Sequence, residues 1–259
     1  MMRRFVFAVL LVMGSGPNAA LADAARVLNV SAAGLQQRVL YVAPPDPRAT
    51  LLMLPGGAGD VGIAPDGTIA HGHNFLVRTR DLWVGRGFAV MVPDAPESIR
   101  NLRSHRSSQQ YASVIAALVK TAHDQAAGPV FLIGTSQGAI AAMNGAANLR
   151  NGEIAGLVLT ESVSRLGGSH ETVFDAHPDQ VNVPVLVVAN SDDRCKIAPP
   201  QDAPKIVAAL TGAPTVKVLD VHGGAMHGDN DCGSLTPHGY DGIEPEVVDA
   251  IAKWLRDRL

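Results

Sequence analysis

A serine in a glycine-flanked turn is the residue whose surroundings point most directly to chemistry. Residues 134–138 read Gly-Thr-Ser-Gln-Gly and match the pattern G-x-S-x-G, with Ser136 at the centre. The apolar run 130–133 precedes this turn, and residues 137–143 follow it with the composition of a helix. Strand, sharp turn and helix together predict a nucleophile elbow, which presents the serine hydroxyl at the positive end of the helix dipole. A serine that only caps the helix is the alternative.

Attack by a serine on a carbonyl needs hydrogen-bond donors aimed at the oxyanion that forms. The backbone N–H of Gln137, directly after the serine, is the first candidate. The second is the N–H of Gly57 or Ala58, in the glycine-rich segment 55–60 that follows the apolar run 51–54. Glycine allows the backbone to approach a substrate closely. A flexible turn is the alternative, and the absence of a following Lys-Ser or Lys-Thr pair disfavours a phosphate loop.

An acid and a base must complete such a site, and the sequence offers several of each. Asp192 and Asp193 both stand in the loop after the apolar run 185–189. Three histidines follow the next apolar run, 216–221, and precede the last predicted helix: His222, His227 and His238. All of them satisfy the chain order serine, acid, histidine. Topology alone favours His227, because the segment 221–227 has the length of a short loop that leads from the strand to the histidine.

The elements that must position these residues alternate along the chain. From residue 50 onward, compact apolar runs end in Gly, Pro or Asp and are followed by stretches with helical spacing. This alternation predicts an α/β fold with a mostly parallel central sheet, flanked by helices, whose strands are buried on both faces. The predicted strands are 51–54, 88–92, 130–133, 157–159, 185–189 and 216–221, and the predicted helices are 107–126, 137–149, 201–210 and 244–259.

Two further features complete the predicted architecture. Residues 26–42 carry short apolar alternations around Gly34, which indicate an antiparallel strand pair at the edge of the sheet. Only about twenty residues separate the runs that end near 159 and begin near 183, so no large lid domain fits there. We therefore expect an open cleft.

The N-terminal segment has the features of a secretory signal sequence. A basic start, an apolar core over 5–13 and Ala-Leu-Ala at 20–22 predict a signal peptide over residues 1–22, followed by a single domain over 23–259. An uncleaved anchor is the alternative, but the run is shorter than the ~20 residues of a bilayer span. Export predicts a periplasmic or secreted protein without a membrane span after cleavage. It also predicts a disulfide between Cys195 and Cys232, with two buried free thiols as the alternative.

Charge and composition limit the partners. The chain has 21 Lys and Arg against 24 Asp and Glu, a formal net charge of −3. Nucleic acids and anionic membrane surfaces select clustered Lys and Arg, so both are disfavoured as partners. Arginine offers a two-pronged fork for carboxylate or phosphate, which makes Asn74, Arg78 and Arg106 candidates for substrate binding; pairing with surface acids is the alternative. No cofactor is predicted, and no metal, because the histidine spacings match no ligand pattern.

Several segments jointly resemble the α/β-hydrolase superfamily, and within it a group of small bacterial secreted serine hydrolases similar to dienelactone hydrolases and esterases. They are Leu-Pro-Gly-Gly at 54–57, Asn-Phe-Leu-Val-Arg at 74–78, Pro-Asp-Ala-Pro at 93–96, Gly-Thr-Ser at 134–136, Asp-Arg-Cys at 193–195, and Cys232 followed by His-Gly-Tyr-Asp-Gly-Ile-Glu at 238–244. The resemblance implies the α/β-hydrolase fold over the mature chain. It implies a reaction class but no named substrate, because Gln137 stands where relatives carry Arg and His227 is an additional histidine.

The resemblance also implies a choice of acid and base. In the superfamily the acid usually lies several residues past the last apolar position of its strand, which favours Asp193 over Asp192. The His-Gly-aromatic segment recurs in the group, which favours His238 over His227. The expected function is hydrolysis of a small-molecule ester or related acyl bond through Ser136, His238 and Asp193. A peptidase or amidase with the same triad, and a catalytically silent extracellular binding module of the same fold, are the alternatives.

Overall fold

An eight-stranded sheet forms the centre of residues 25–259, the part of the chain that the computed structural model describes. The predicted signal peptide, 1–22, lies outside the described residues. The strands are β1 (Arg26–Ala32), β2 (Leu35–Val42), β3 (Thr50–Leu54), β4 (Ala89–Pro93), β5 (Val130–Thr135), β6 (Gly156–Thr160), β7 (Val185–Asn190) and β8 (Val216–Val221). Their order is β1-β2-β4-β3-β5-β6-β7-β8. β2 runs antiparallel to β1 and β4, and all other neighbours are parallel, as the α/β fold class predicts.

Helices cover both faces of this sheet. They are α1 (Phe75–Arg78), α2 (Arg80–Val84), α3 (Gln109–Gln125), α4 (Gly138–Asn148), α5 (Ala203–Ala209) and α6 (Glu244–Arg256). The buried side chains of α3, α4 and α5 belong to one apolar cluster, and those of α1, α2 and α6 belong to the cluster on the opposite face. The four predicted helices correspond to α3–α6. α1 and α2 were not predicted, because elements of four or five residues are too short to show helical periodicity.

Burial of the strands follows their place in the sheet. Every residue of β3 to β7 is buried, as strands covered by helices on both faces should be. The prediction of two buried faces is wrong for β8, whose residues are exposed or half-buried. Among residues 25–259, β8 pairs with β7 alone and is therefore an edge strand. Its exposed Lys217 and Asp220 are charges of the kind that discourage pairing at an open edge.

The predicted antiparallel pair is present as the β1–β2 hairpin. Ala33 and Gly34 form its two-residue turn with φ values of 52° and 77°. Positive φ at both central positions is the geometry whose twist matches that of the flanking strands.

The connection between β6 and β7 is short, as the absence of a large lid requires. Residues 161–184 contain two single-turn 3₁₀ helices, Val173–Ala176 and Pro178–Gln180. No helix within residues 25–259 is both long enough and apolar enough to cross a membrane.

The carboxyl ends of the neighbouring parallel strands β3, β5, β6 and β7 lie at the same end of the sheet, and the predicted site residues converge there.

Candidate active site

The turn between β5 and α4 holds Ser136 in a conformation that its neighbours enforce. Ser136 has a φ of 53°, and its N–H donates a hydrogen bond of 2.9 Å to the carbonyl of Thr160. A Cβ at Gly138 would overlap the carbonyl oxygen of Leu54, and a Cβ at Gly134 would overlap the carbonyl oxygen of Gly138. Both flanking positions therefore require glycine, and the strained serine is presented half-buried at the start of α4.

Three of the predicted site residues meet at this turn. His238 Nε2 lies 2.9 Å from Ser136 Oγ, and His238 Nδ1 lies 2.7 Å from Asp193 Oδ2. The side chains of His238 and Asp193 are 4% and 0% exposed. The second oxygen of Asp193 accepts a hydrogen bond of 2.8 Å from the N–H of Cys195. A buried carboxylate at Nδ1 fixes the tautomer in which Nε2 is able to accept a proton from the serine hydroxyl.

The alternative acid and base lie elsewhere. Asp192 is exposed and accepts a hydrogen bond of 2.7 Å from the N–H of Gly223. The side chain of His227 is 72% exposed, and its Nδ1 lies 2.6 Å from Asp241 Oδ2. His222 is also exposed. None of these three side chains is brought to Ser136.

The candidate oxyanion donors belong to segments that lie next to the serine. Within residues 25–259, the N–H groups of Gln137, Gly57 and Ala58 donate no hydrogen bond to the protein. The loop after β3 touches the elbow directly, because a Cβ at Gly56 would lie 3.0 Å from Ser136 Cβ. Gly57 has a φ of 60°, a value that favours glycine. The loop geometry therefore leaves backbone donors available beside the serine hydroxyl.

Arg106 braces this loop, a role that the sequence does not indicate. The residue is 0% exposed, and Nη2 donates hydrogen bonds to the carbonyls of Gly57 at 2.9 Å and Pro55 at 3.3 Å. Nη1 donates to the side chain of Gln137 at 3.3 Å. Burial lowers the pKa of Arg106 to about 10, so the guanidinium remains charged at neutral pH. The geometry does not indicate that Arg106 binds substrate, because its two terminal nitrogens donate to groups of the protein itself.

Arg78 is also occupied by protein groups. Its Nε lies 2.8 Å from Glu244 Oε1, and its two terminal nitrogens donate to the carbonyls of His73 and Gly239, each at 2.6 Å. Arg78 therefore fastens the segment after His238 to α6. Asn74 caps α1 by accepting a hydrogen bond of 3.0 Å from the N–H of Leu76, and it lines the cleft described next.

A small open cleft lies over the serine. A cavity of about 160 Å³ is bounded by eleven residues: Gly56, Gly57, Asn74, Phe75, Thr135, Ser136, Cys232, Gly233, Ser234, His238 and Gly239. A second cavity of about 340 Å³ shares Gly56, Gly57, Asn74 and Ser234 with it and extends along His71 and His73. Apart from Phe75, the wall next to the serine consists of small or polar residues. A space of this size suits a compact ligand better than a long lipid chain.

The predicted disulfide is present and joins the acid segment to the base segment. Cys195 and Cys232 are bonded, with 37 residues of sequence separation. Cys195 stands two residues after Asp193, and Cys232 stands six residues before His238. The crosslink therefore restrains the two segments whose side chains meet at 2.7 Å.

A second buried carboxyl group, Glu161, lies beside the Asp193–His238 pair and was not singled out from the sequence. One ligand atom from each of these three residues lies within 4.8 Å of the other two. A metal would have to replace the short hydrogen bond between His238 and Asp193, so the donor set is already committed to that bond. The sequence signal that could have identified Glu161 is its position directly after the buried strand β6, where the loops converge.

Comparison with known proteins shows the fold of the chain. No protein-family model matches it, and no curated protein matches it. A cold-adapted esterase from an Arctic intertidal metagenomic library is 16% identical, with 91% of this chain and 94% of that chain covered and a TM-score of 0.62. The dienelactone hydrolase of Anabaena variabilis is 15% identical, with 91% and 98% covered and a TM-score of 0.62.

A puromycin-hydrolyzing peptidase of Mycobacterium tuberculosis is 14% identical and has a TM-score of 0.65. It covers 95% of this chain, which matches 41% of the peptidase. These likenesses, with the strand order and the elbow, show that the chain has the α/β-hydrolase fold that the sequence predicts.

Proposed function

We propose that this protein is a serine hydrolase that cleaves ester-type acyl bonds, with Ser136 as nucleophile, His238 as general base and Asp193 as the acid that orients it. One observation carries the proposal. The chain of contacts from Ser136 Oγ to His238 Nε2 at 2.9 Å and from His238 Nδ1 to Asp193 Oδ2 at 2.7 Å has the order and spacing of a catalytic triad.

The proposed reaction uses both ends of the imidazole. Ser136 Oγ attacks the substrate carbonyl while its proton passes to His238 Nε2, and Asp193 stabilises the imidazolium that forms. The N–H of Gln137, with that of Gly57 or Ala58, stabilises the oxyanion of the tetrahedral intermediate. His238 then returns the proton to the leaving alcohol, and a water activated by the same histidine hydrolyses the acyl-enzyme. This chemistry needs no cofactor.

The surroundings of the site support a small soluble ester as substrate. The short connection after β6 leaves the cleft open, and its walls next to the serine consist mainly of glycine, serine and asparagine. We place the protein in the periplasm or outside the cell, because the predicted signal peptide and the disulfide both favour an oxidising compartment.

A peptidase or amidase activity with the same triad is the second candidate. It is favoured by the structural similarity to the puromycin-hydrolyzing peptidase. Amide bonds need stronger protonation of the leaving nitrogen, so the same constellation cleaves esters more easily unless the cleft positions the amide.

A matched substrate panel tests the proposal. The mature protein and Ser136→Ala are incubated with p-nitrophenyl esters of two to eight acyl carbons and with p-nitroanilides of the same acyl groups. We expect ester turnover, highest for the short acyl groups and lost in Ser136→Ala. Faster turnover of anilides would assign the second candidate. No turnover of any substrate by folded wild-type protein would contradict both and favour a binding module.

A further inference from the structure

Glu161 shares a buried space with the candidate acid. It follows β6 directly, beside the strand that leads to Asp193, and the residue is 2% exposed. One of its carboxyl oxygens lies within 4.8 Å of both an oxygen of Asp193 and a ring nitrogen of His238. Two carboxyl groups therefore lie behind one imidazole, out of contact with solvent.

The hydrogen bonds around Glu161 satisfy only half of its carboxyl group. Oε1 accepts a hydrogen bond of 2.8 Å from the N–H of Asn190. No N–H of the described residues donates to Oε2, although this oxygen is buried. A buried carboxylate oxygen that accepts no hydrogen bond is costly, whereas a protonated oxygen needs only an acceptor.

The groups that face Glu161 include one hydroxyl donor, which favours its ionised form, and the negative charge of Asp193, which opposes it. They are Asp193 from the loop after β7, His238 from the 3₁₀ turn Pro237–Gly239, and the hydroxyl of Tyr240 just beyond it. Within residues 25–259, no Lys or Arg side chain forms a salt bridge with Glu161. Like charges at such separation in a buried site do not both ionise, and one of the two groups keeps its proton.

We propose that Glu161 is protonated in the working protein and donates a hydrogen bond to Asp193, so that the two carboxyl groups carry a single negative charge behind His238. This role rests on the proposed function. Glu161 acts through Asp193 and is therefore a positioning residue. Burial raises the pKa of Glu161 well above its usual range, and the charge of Asp193 and their hydrogen bond raise it further.

The backbone supports this arrangement. Glu161 has a φ of 43°, in the left-handed region that non-glycine residues rarely adopt. Its N–H nevertheless donates a hydrogen bond of 3.2 Å to the carbonyl of Val188, a residue of β7. Strain of this kind persists where the surrounding structure over-determines it, and it is concentrated at functional sites.

A single charge is also what the base requires. A second carboxylate within 4.8 Å would stabilise a positive charge on the imidazole ring before the serine reacts. Imidazolium Nε2 already carries a proton and is unable to accept the one from Ser136. A neutral Glu161 holds Asp193 in place through a hydrogen bond without adding that charge.

Carbon NMR of the wild-type protein tests the protonation directly. The chain has six glutamates, so selective ¹³C labelling gives six side-chain carboxyl signals. We expect one signal to remain at the protonated position at pH 7 and to be missing in Glu161→Gln. Glu171→Gln, which removes the other well-buried glutamate, must leave that signal in place and identifies it even when Glu161→Gln does not fold. Six ionised signals at pH 7 would overturn the proposal.

The pH dependence of kcat/KM gives a second test. Glutamine keeps a donor where protonated Glu161 has one, so Glu161→Gln should retain the acid limb of the wild-type profile, whereas Glu161→Ala should lose kcat. If Glu161 were ionised in the wild type, its replacement by glutamine would remove a negative charge behind the base and move that limb to lower pH. The NMR measurement needs no substrate, so failure of the esterase proposal leaves this inference testable.

Discussion

Arg106 donates a hydrogen bond of 2.9 Å through Nη2 to the carbonyl oxygen of Gly57, a residue 49 positions earlier in the chain. The same guanidinium contacts the side chain of Gln137 at 3.3 Å. One buried cation thus holds both segments that carry the proposed oxyanion donors. Their relative position depends on Arg106 as well as on the glycines of the loop.

Replacement of Arg106 by methionine is therefore expected to impair catalysis as well as stability. Methionine fills part of the space but leaves the carbonyls of Pro55 and Gly57 without their donor. A displaced oxyanion donor lowers kcat by about 10- to 100-fold, with a smaller change in KM. Loss of charged hydrogen bonds lowers the free energy of unfolding by about 2–3 kcal/mol. Steady-state kinetics and urea unfolding measure the two effects.

Arg103→Met is the matched control, because Arg103 is exposed and lies in the same connection between β4 and α3 as Arg106. We expect wild-type kcat and stability from it. If Arg106→Met kept the wild-type kcat but had a lower free energy of unfolding, the hydrogen bonds of Arg106 would contribute to stability and not to catalysis.

The elbow gives a prediction about a single methyl group. Alanine at Gly138 places a Cβ on the carbonyl oxygen of Leu54, so the loop after β3 must move away from Ser136. We expect Gly138→Ala to lose at least about 100-fold in kcat or to fail to fold. Gly168→Ala is the control, because a Cβ there meets no atom within 4 Å. Full activity in Gly138→Ala would show that the turn tolerates displacement and contradict the geometric argument.

The disulfide should contribute mainly to stability. It closes a loop with a sequence separation of 37, which corresponds to at most about 4 kcal/mol in the chain-entropy description. Cys195→Ser/Cys232→Ser is expected to have a lower free energy of unfolding by up to that amount. Reductant should destabilise the wild type similarly and leave the double variant unchanged. Equal denaturation midpoints for wild type with and without reductant would be incompatible with this account.

The raised pKa of Glu161 predicts a pH-dependent stability of defined sign. Above the pKa of about 4.3 for an unfolded glutamate, the unfolded chain ionises this group while the folded protein keeps the proton. The wild type therefore loses stability as pH rises, by up to about 1.4 kcal/mol per unit. Glutamine does not titrate, so the difference in unfolding free energy, Glu161→Gln minus wild type, should increase between pH 5 and pH 8.

Denaturant unfolding of both proteins at several pH values measures this difference. Asp249→Asn, which removes an exposed carboxylate, controls for the loss of an acidic residue. A difference that stays constant or decreases with pH would mean that Glu161 is ionised in the folded protein.

Much of the architecture was predictable because it depends on local patterns. The buried runs that became β3 to β7 contain almost no polar residues, and the turn around Ser136 has a glycine at each crowded position. The burial of β8 was predicted wrongly because Val216–Val221 is apolar enough for an inner strand but lies at the edge of the sheet. Whether a strand lies at the centre or at the edge depends on how the whole sheet is arranged, and the sequence of the strand alone does not determine it.

The site was predictable only in part. Position along the chain favoured His227 as base, and the resemblance favoured His238, which is the histidine that lies next to Ser136. Arg106 and Glu161 act through contacts with residues far away in the sequence, 49 positions for Gly57 and 29 for Asn190. No spacing rule identifies a buried arginine or a protonated glutamate, because burial and charge pairing exist only after folding.

Covalent labelling with a fluorophosphonate, followed by mass spectrometry of the adduct, tests the central claim most directly. The mature protein is compared with Ser136→Ala, His238→Ala and His227→Ala. We expect an adduct on Ser136 in the wild type and in His227→Ala, none on this position in Ser136→Ala, and labelling slower by about 10³-fold or more in His238→Ala. Loss of labelling in His227→Ala with retention in His238→Ala, or no adduct on folded wild-type protein, would contradict the account.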